Sequence, residues 1–164
     1  MKRLWAPWRL EFIKSKGDTC IFCSSPREGD DRKSRIFARR KYVFGMLNAF
    51  PYNPGHILIA PYRHVTEMTS ISSEEWRESL QLLKESTAAI KGVMEPHGFN
   101  IGFNVGAAAG GGFEHLHMHV VPRWRGDSNF MPVLAETKVL PEHLDSTYKR
   151  IVDALKEGHA KKGS

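Results

Sequence analysis

The sequence predicts an α+β domain in which helices pack on an antiparallel sheet. Three observations carry this. Two short apolar runs flank a turn rich in Pro and Gly. A long segment after Ser72 repeats apolar residues in steps of three and four. Two further runs alternate along residues 99–105 and 115–121. Paired strands with separate helical segments are the pattern of α+β architecture.

The first paired run is Tyr42 to Leu47 and reads as a buried strand. Pro51, Asn53, Pro54 and Gly55 make a turn, and His56 to Ala60 returns as the second arm of a hairpin. Ser72 and Glu75 then have the spacing of a capping box, in which each side chain satisfies a free backbone N–H. Trp76, Leu80, Leu83, Thr87, Ile90 and Met94 predict the buried face of the helix, and Pro96 and Gly98 predict its end. Phe99 to Val105 and His115 to Val121 read as strands, the second stopped by Pro122. A last helix is expected from Pro141, with Leu144, Tyr148, Ile151, Val152 and Leu155 inward.

Neither a repeat nor an interdomain linker divides the 164 residues, so a single domain is expected over 1–164. Residues 1–19 form an aromatic N-terminal extension carrying Trp5, Trp8 and Phe12. Residues 20–125 hold the motifs, and 126–164 a C-terminal loop and helix. No run approaches a membrane span, and MKRLWAPWRLEF lacks the apolar core of a secretory signal, so the expected compartment is the cytoplasm. The formal net charge of +6 favours anionic partners, but no nucleic-acid motif accompanies it.

Alternation on a strand places His115, His117 and His119 on one face and Leu116, Met118 and Val120 on the other. Buried imidazoles need hydrogen-bond partners, so three in register are not explained by packing. A surface strand, a metal site using two or three of the rings, and nucleophilic catalysis by one of them all fit the spacing. The small segment AAAGGG, Ala107 to Gly112, lies just upstream. It offers unhindered backbone N–H groups of the kind that bind phosphate, which favours catalysis. The only cysteines, Cys20 and Cys23, form a Cys-x-x-Cys pair, which suits metal binding or redox chemistry and needs two more ligands to close a zinc site.

At these residues the sequence resembles the histidine triad (HIT) superfamily. HLHMHVV, His115 to Val121, matches its alternating signature at every position. NAFPYNPGHILIAPYRHV, Asn48 to Val65, is similar to its strand–turn–strand, and CIFC, Cys20 to Cys23, resembles the start of its zinc-bearing members. LWAPWR, Leu4 to Arg9, and PRWRGDSNFMPV, Pro122 to Val133, look like the diadenosine tetraphosphate phosphorylase type of the Fhit-like branch.

The resemblance implies a HIT fold and nucleotidyl transfer. His117 would attack the α-phosphate, and His119 would contact the phosphates and assist the departing or entering group. Asn48 would bind ribose, and Asn104, where Fhit-like members carry Gln, would contact phosphate. Gly111 and Gly112 would bind through their backbone amides in place of polar side chains. Cys20, Cys23, His64 and His115 would hold a structural zinc, with no organic cofactor, and His56 would be structural. The implied substrate is a diadenosine polyphosphate, with inorganic phosphate as acceptor in a phosphorylase and water in a hydrolase. Phosphoramidase activity of the Hint-like kind is an alternative. A homodimer or homotetramer is implied.

Overall fold

The computed structural model describes residues 20–110, 114–127 and 143–160. The aromatic extension, Gly111, Gly112, Pro141 and most of the segment after Asp127 lie outside them.

Five strands form one antiparallel sheet among the described residues: β1 (Ile36–Arg39), β2 (Val43–Leu47), β3 (Ile57–Pro61), β4 (Gly98–Phe103) and β5 (Met118–Arg123). Their order is β1-β2-β3-β5-β4, so β5 inserts between β3 and β4. The expected hairpin is β2–β3, with Phe44 opposite Ala60 and Leu47 opposite Ile57. Gly55 sits in its turn at φ +74°, where a side chain is disfavoured. A Cβ there would also lie 2.8 Å from Met94 Sδ.

Every residue of β2 and β3 is buried, because both faces of the sheet centre are covered. On one face Val43, Leu47, Ile57, Ile59, Met118 and Val120 pack against two helices, α2 (Ser73–Met94) and α3 (Leu144–Ala160). On the other, Phe44, Met46, Leu58 and Ala60 pack with Phe22 and Ile36. Phe22 belongs to α1 (Ile21–Ser24), a single turn after Cys20.

The long helix begins as expected: Ser72 Oγ accepts from Glu75 N–H, and Glu75 Oε2 accepts from Ser72 N–H. Of the expected inward residues Ile90 is fully buried and Trp76, Leu83 and Met94 pack half-buried against the core, but the other deepest positions fall one residue earlier. Glu75, Ser79, Leu82, Ser86 and Ile90 are buried, while Leu80 is 55% exposed. The large apolar side chains suggested the stripe, but Ser79 and Ser86 bring the helix close to its neighbours. Glu75 is buried because Arg63 pairs with it at 2.7 Å. In α3, Ile151 and Leu155 are buried and Leu144 and Tyr148 pack against the same cluster, as expected.

Strand β1 was not expected. Only Ile36 of its four residues is fully buried, and basic residues surround it. Its register shifts between Ile36 and Ala38. The histidine strand also starts later than expected, at Met118, and runs through Pro122 to Arg123. Pairing with β3 stops at Met118 opposite Ile59. Before that point Leu116 N–H bonds to Val65 O, and the His115 carbonyl is taken by the ring of His117.

Candidate active site

The register sets which face carries the chemistry. His119 lies opposite Leu58 on β3 and Gly102 on β4, away from the helix-covered cluster that holds Met118 and Val120. The histidines therefore gather on the face occupied by Phe22.

His117 is 7% exposed, and its Nδ1 lies 2.7 Å from the backbone oxygen of His115. A carbonyl only accepts, so Nδ1 carries the proton and donates. Nε2 is left with its lone pair in the neutral ring. Burial lowers the pKa of this imidazole and favours that neutral form. The ring of Phe22 stacks on it at 4.5 Å between centroids, and the His119 ring lies 4.7 Å away.

His119 is held by a chain of donors. Tyr52 N–H donates to His56 Nδ1 at 3.0 Å, and the Asn48 side-chain amide lies 3.3 Å from the same nitrogen. That nitrogen is thus an acceptor, and neutral His56 carries its proton on Nε2. Nε2 lies 3.0 Å from His119 Nδ1 and donates to it. Neutral His119 then carries its own proton on Nε2, which lies 3.4 Å from Asn104 Nδ2; two donors cannot bond, so this tautomer requires the Asn104 amide turned to present Oδ1. This arrangement supplies a lone pair on His117 beside an N–H donor on His119, the pairing that nucleophilic displacement with leaving-group protonation requires.

Asn48 Oδ1 also accepts from Phe50 N–H at 2.9 Å, so this side chain shapes the turn around His56. Upstream of the triad, Ala107–Ala109 form a 3₁₀ turn between Gly106 (φ +79°) and Gly110 (φ +84°). The N–H groups of Ala109 and Gly110 close that turn on Gly106 and Ala107, so these two are committed internally.

Four side chains converge beside the triad. Cys20 Sγ lies 3.4 Å from His115 Nδ1, Cys23 Sγ 3.4 Å from His64 Nδ1 and 3.6 Å from His115 Nδ1. All four atoms lie within 4.8 Å of one another, a group able to hold a metal ion. The turn of α1 brings the sulfurs together, with Cys23 and Ser24 N–H both donating to Cys20 O at 3.0 Å. His115 is fully buried, and its Nε2–H donates to Pro61 O at 2.9 Å, which leaves Nδ1 as a lone pair aimed at the cysteines. Burial pushes its pKa down to about 4 and keeps it neutral, as a ligand must be. Burial pushes the Cys20 thiol up, an effect that a bound cation reverses.

The structure thus brings together His117 with His119, His119 with Asn104, and the two cysteines with His64 and His115. The sequence reading missed two parts of the site. His56, read as structural, bonds directly to His119, and its place between two strand-borne motifs was the available signal. Phe22 touches His117 although its position inside CIFC marked only the cysteines.

Among the described residues no helix is long and apolar enough to cross a membrane. The HIT domain family model matches residues 30–126. The chain is 39% identical over 158 residues to the AP-4-A phosphorylase of Mycobacterium tuberculosis, covering 90% of this chain and 80% of that protein. It is 30% identical over 95 residues to the bis(5'-adenosyl)-triphosphatase of Saccharomyces cerevisiae, covering 56% of this chain and 45% of that one. The Zn-bound histidine triad family protein of Mycobacterium smegmatis superposes with a TM-score of 0.70 at 22% identity, over 88% of this chain and 98% of that chain. By the family model and the relative covering most of its length, the chain belongs to the HIT domain family.

Proposed function

We propose that this protein is a nucleotidyl transferase that cleaves diadenosine tetraphosphate by phosphorolysis, with His117 as the nucleophile. The observation that carries the reading is the 2.7 Å bond from His117 Nδ1–H to the His115 carbonyl, which commits one nitrogen and leaves the other as a lone pair. The similarity to the M. tuberculosis AP-4-A phosphorylase supports the substrate.

In the first step His117 Nε2 bonds to the α-phosphorus. The bond from that phosphorus to the bridging oxygen breaks, and ATP leaves with the bond's electron pair. His119 Nε2–H stands ready to donate to the departing oxygen. The product is AMP joined to His117 through a P–N bond. In the second step an oxygen of inorganic phosphate attacks the same phosphorus, the P–N bond breaks, and ADP leaves with His117 restored. Developing charge on the phosphoryl oxygens is met by Asn104 and by backbone N–H groups of the Gly111–Gly112 segment. Asn48 serves the ribose from its place beside His56.

The metal is zinc in a structural role, held by Cys20, Cys23, His64 and His115. Tetrahedral zinc with sulfur and nitrogen ligands separates neighbouring donor atoms by about 3.5 Å, close to the 3.4–3.6 Å separations found. Bound there, it would fix the fold around the triad.

We place the protein in the cytoplasm as a homodimer or homotetramer. Strand β4 ends the sheet with Ile101 49% exposed, an edge suited to a second chain. The similarity to the yeast triphosphatase favours water as a second acceptor.

Incubation with labelled diadenosine tetraphosphate, with and without phosphate, tests the reading. Phosphorolysis yields ADP and ATP and stops without phosphate, whereas hydrolysis yields AMP and ATP in both. A stable nucleotidyl-protein in the wild type that is absent from His117→Ala supports the nucleophile, and turnover by the variant sinks it.

A further inference from the structure

We infer that Phe22 is a positioning residue for His117, linking the cysteine turn to the nucleophile. The inference rests on the reading of His117 as the nucleophile. Cys20 and Cys23 are placed by the single turn α1, and Phe22 is the residue inside that turn that points into the core. It is 1% exposed. Its ring stacks on His117 at 4.5 Å with 27° between planes, and lies 5.1 Å from the ring of His115. It also packs with Ile36, Phe44, Met46, Leu58 and Ala60.

The geometry has a specific consequence. The bond from Nδ1 to the His115 carbonyl and the covalent link at Cβ hold one edge of the His117 ring and leave its plane to rotate about that edge. A flat neighbour on the ring's face limits this rotation and so sets where Nε2 points. Aromatic contact of this kind adds selectivity beyond burial, and small misplacement of a reacting atom is costly in rate. The residue that supplies the flat face sits between two metal-ligand candidates, so whatever orders the cysteine turn also orders the nucleophile. Packing alone does not require this, because an aliphatic side chain would fill the same cluster.

The test compares wild type with Phe22→Leu and Phe44→Leu. Phe44 shares the cluster and lies 6.5 Å from Phe22, centroid to centroid. Labelling of the protein by diadenosine tetraphosphate in a single turnover, nucleotide affinity and zinc per chain are measured for each. The expected result is labelling slowed about tenfold in Phe22→Leu. Its affinity stays within twofold and its zinc is unchanged, while Phe44→Leu labels at nearly the wild-type rate. Wild-type labelling in Phe22→Leu, equal slowing in both variants, or loss of zinc from Phe22→Leu would each overturn the inference. A second measurement does not depend on Phe22→Leu folding. The His117 ring proton signals of the wild type, identified by their absence in His117→Ala, should be displaced upfield by the stacked ring, and unshifted signals overturn the stacking. Failure of the wild type itself to label would count against the nucleophile, leaving the ring signals to judge Phe22.

Discussion

His117 Nδ1 donates its proton to the backbone carbonyl of His115, 2.7 Å away, while the side chain of His115 faces Cys20 and Cys23. One residue thus belongs to both centres: its carbonyl orients His117 and its ring completes the four-residue cluster able to hold a metal ion. The spacing of two between the histidines makes this possible, since it lets the second ring reach back to the first residue's oxygen. Loss of order at the cluster is therefore expected to reach His117 through the backbone as well as through packing.

Metal removal tests that coupling. Treatment with a strong chelator is expected to lower the melting temperature by about 10 °C, on the order of what saturating ligand contributes to a domain of this size. Turnover should fall with it and return on adding zinc but not magnesium, since two thiolates and two imidazoles suit a borderline-soft ion. Cys23→Ser should reproduce both losses without chelator. A melting temperature and rate indifferent to chelator would remove the metal from the account.

Much of this was legible in the sequence because it rests on local patterns. Ser72 and Glu75 are three residues apart and cap each other as expected, and the Pro54–Gly55 turn sets the hairpin. The triad was legible from the alternation of residues 115–119, whereas the four metal-ligand candidates emerged from a family pattern of residues far apart in the chain. Long-range geometry was less readable. Strand β1 is held by pairing with β2 and by Tyr148 Oη donating to Ile36 O at 2.8 Å, neither visible in four residues among arginines. The inward face of α2 follows Ser79 and Ser86, whose small size matters only against a close neighbour. The His56–His119 bond joins residues 63 apart in sequence.

Glu75 governs part of the acid response. Burial raises its pKa, but the Arg63 guanidinium and the Ser72 backbone N–H outweigh this and hold it below its ordinary value. The folded protein thus binds this proton less readily than the unfolded chain. The resulting stability is present above the unfolded carboxyl pKa and is lost as pH falls through the lower folded value. Glu75→Gln is expected to cost about 2 kcal/mol at neutral pH, from a lost charged pair and a weakened cap. The gap to wild type should close as pH falls below about 4, near the unfolded value. Urea midpoints from pH 7 to pH 3 check this, and a constant gap would contradict it.

Two glycines separate strain from crowding. Gly29 and Gly55 have nearly the same φ, +75° and +74°, but a Cβ on Gly29 meets nothing within 4 Å, while one on Gly55 meets Met94 Sδ at 2.8 Å and Pro122 Cγ at 3.2 Å. Gly29→Ala should cost only the conformational part, about 1 kcal/mol. Gly55→Ala should cost about 3 kcal/mol, the same part plus overpacking against the end of α2. Denaturant unfolding of both variants measures the difference, and equal losses would show that Met94 yields freely.

His56 carries the last prediction. It is fully buried, accepts from Tyr52 N–H, and donates to His119 Nδ1. Because the backbone donor cannot reverse, the tautomer of His56 is set, and that of neutral His119 follows from it. The wild type should therefore show His119 protonated on Nε2 in long-range proton–nitrogen spectra taken at pH 8. His56→Ala removes the donor that sets the His119 tautomer, so its nitrogen shifts should move toward the average of the two forms. With the proposed donor to the leaving oxygen present only part of the time and less well aimed, kcat is expected to fall by about 10 to 100-fold. KM should rise only a few-fold, because Asn48, proposed to bind the ribose, loses its contact with the His56 ring while the contacts proposed for Asn104 and the backbone are untouched. The Tyr52 N–H loses its acceptor, so stability should also fall by about 2 kcal/mol, and activity must be compared well below the melting temperature of the variant. A wild-type His119 protonated on Nδ1 would contradict the proposed direction of the chain from Tyr52 through His56.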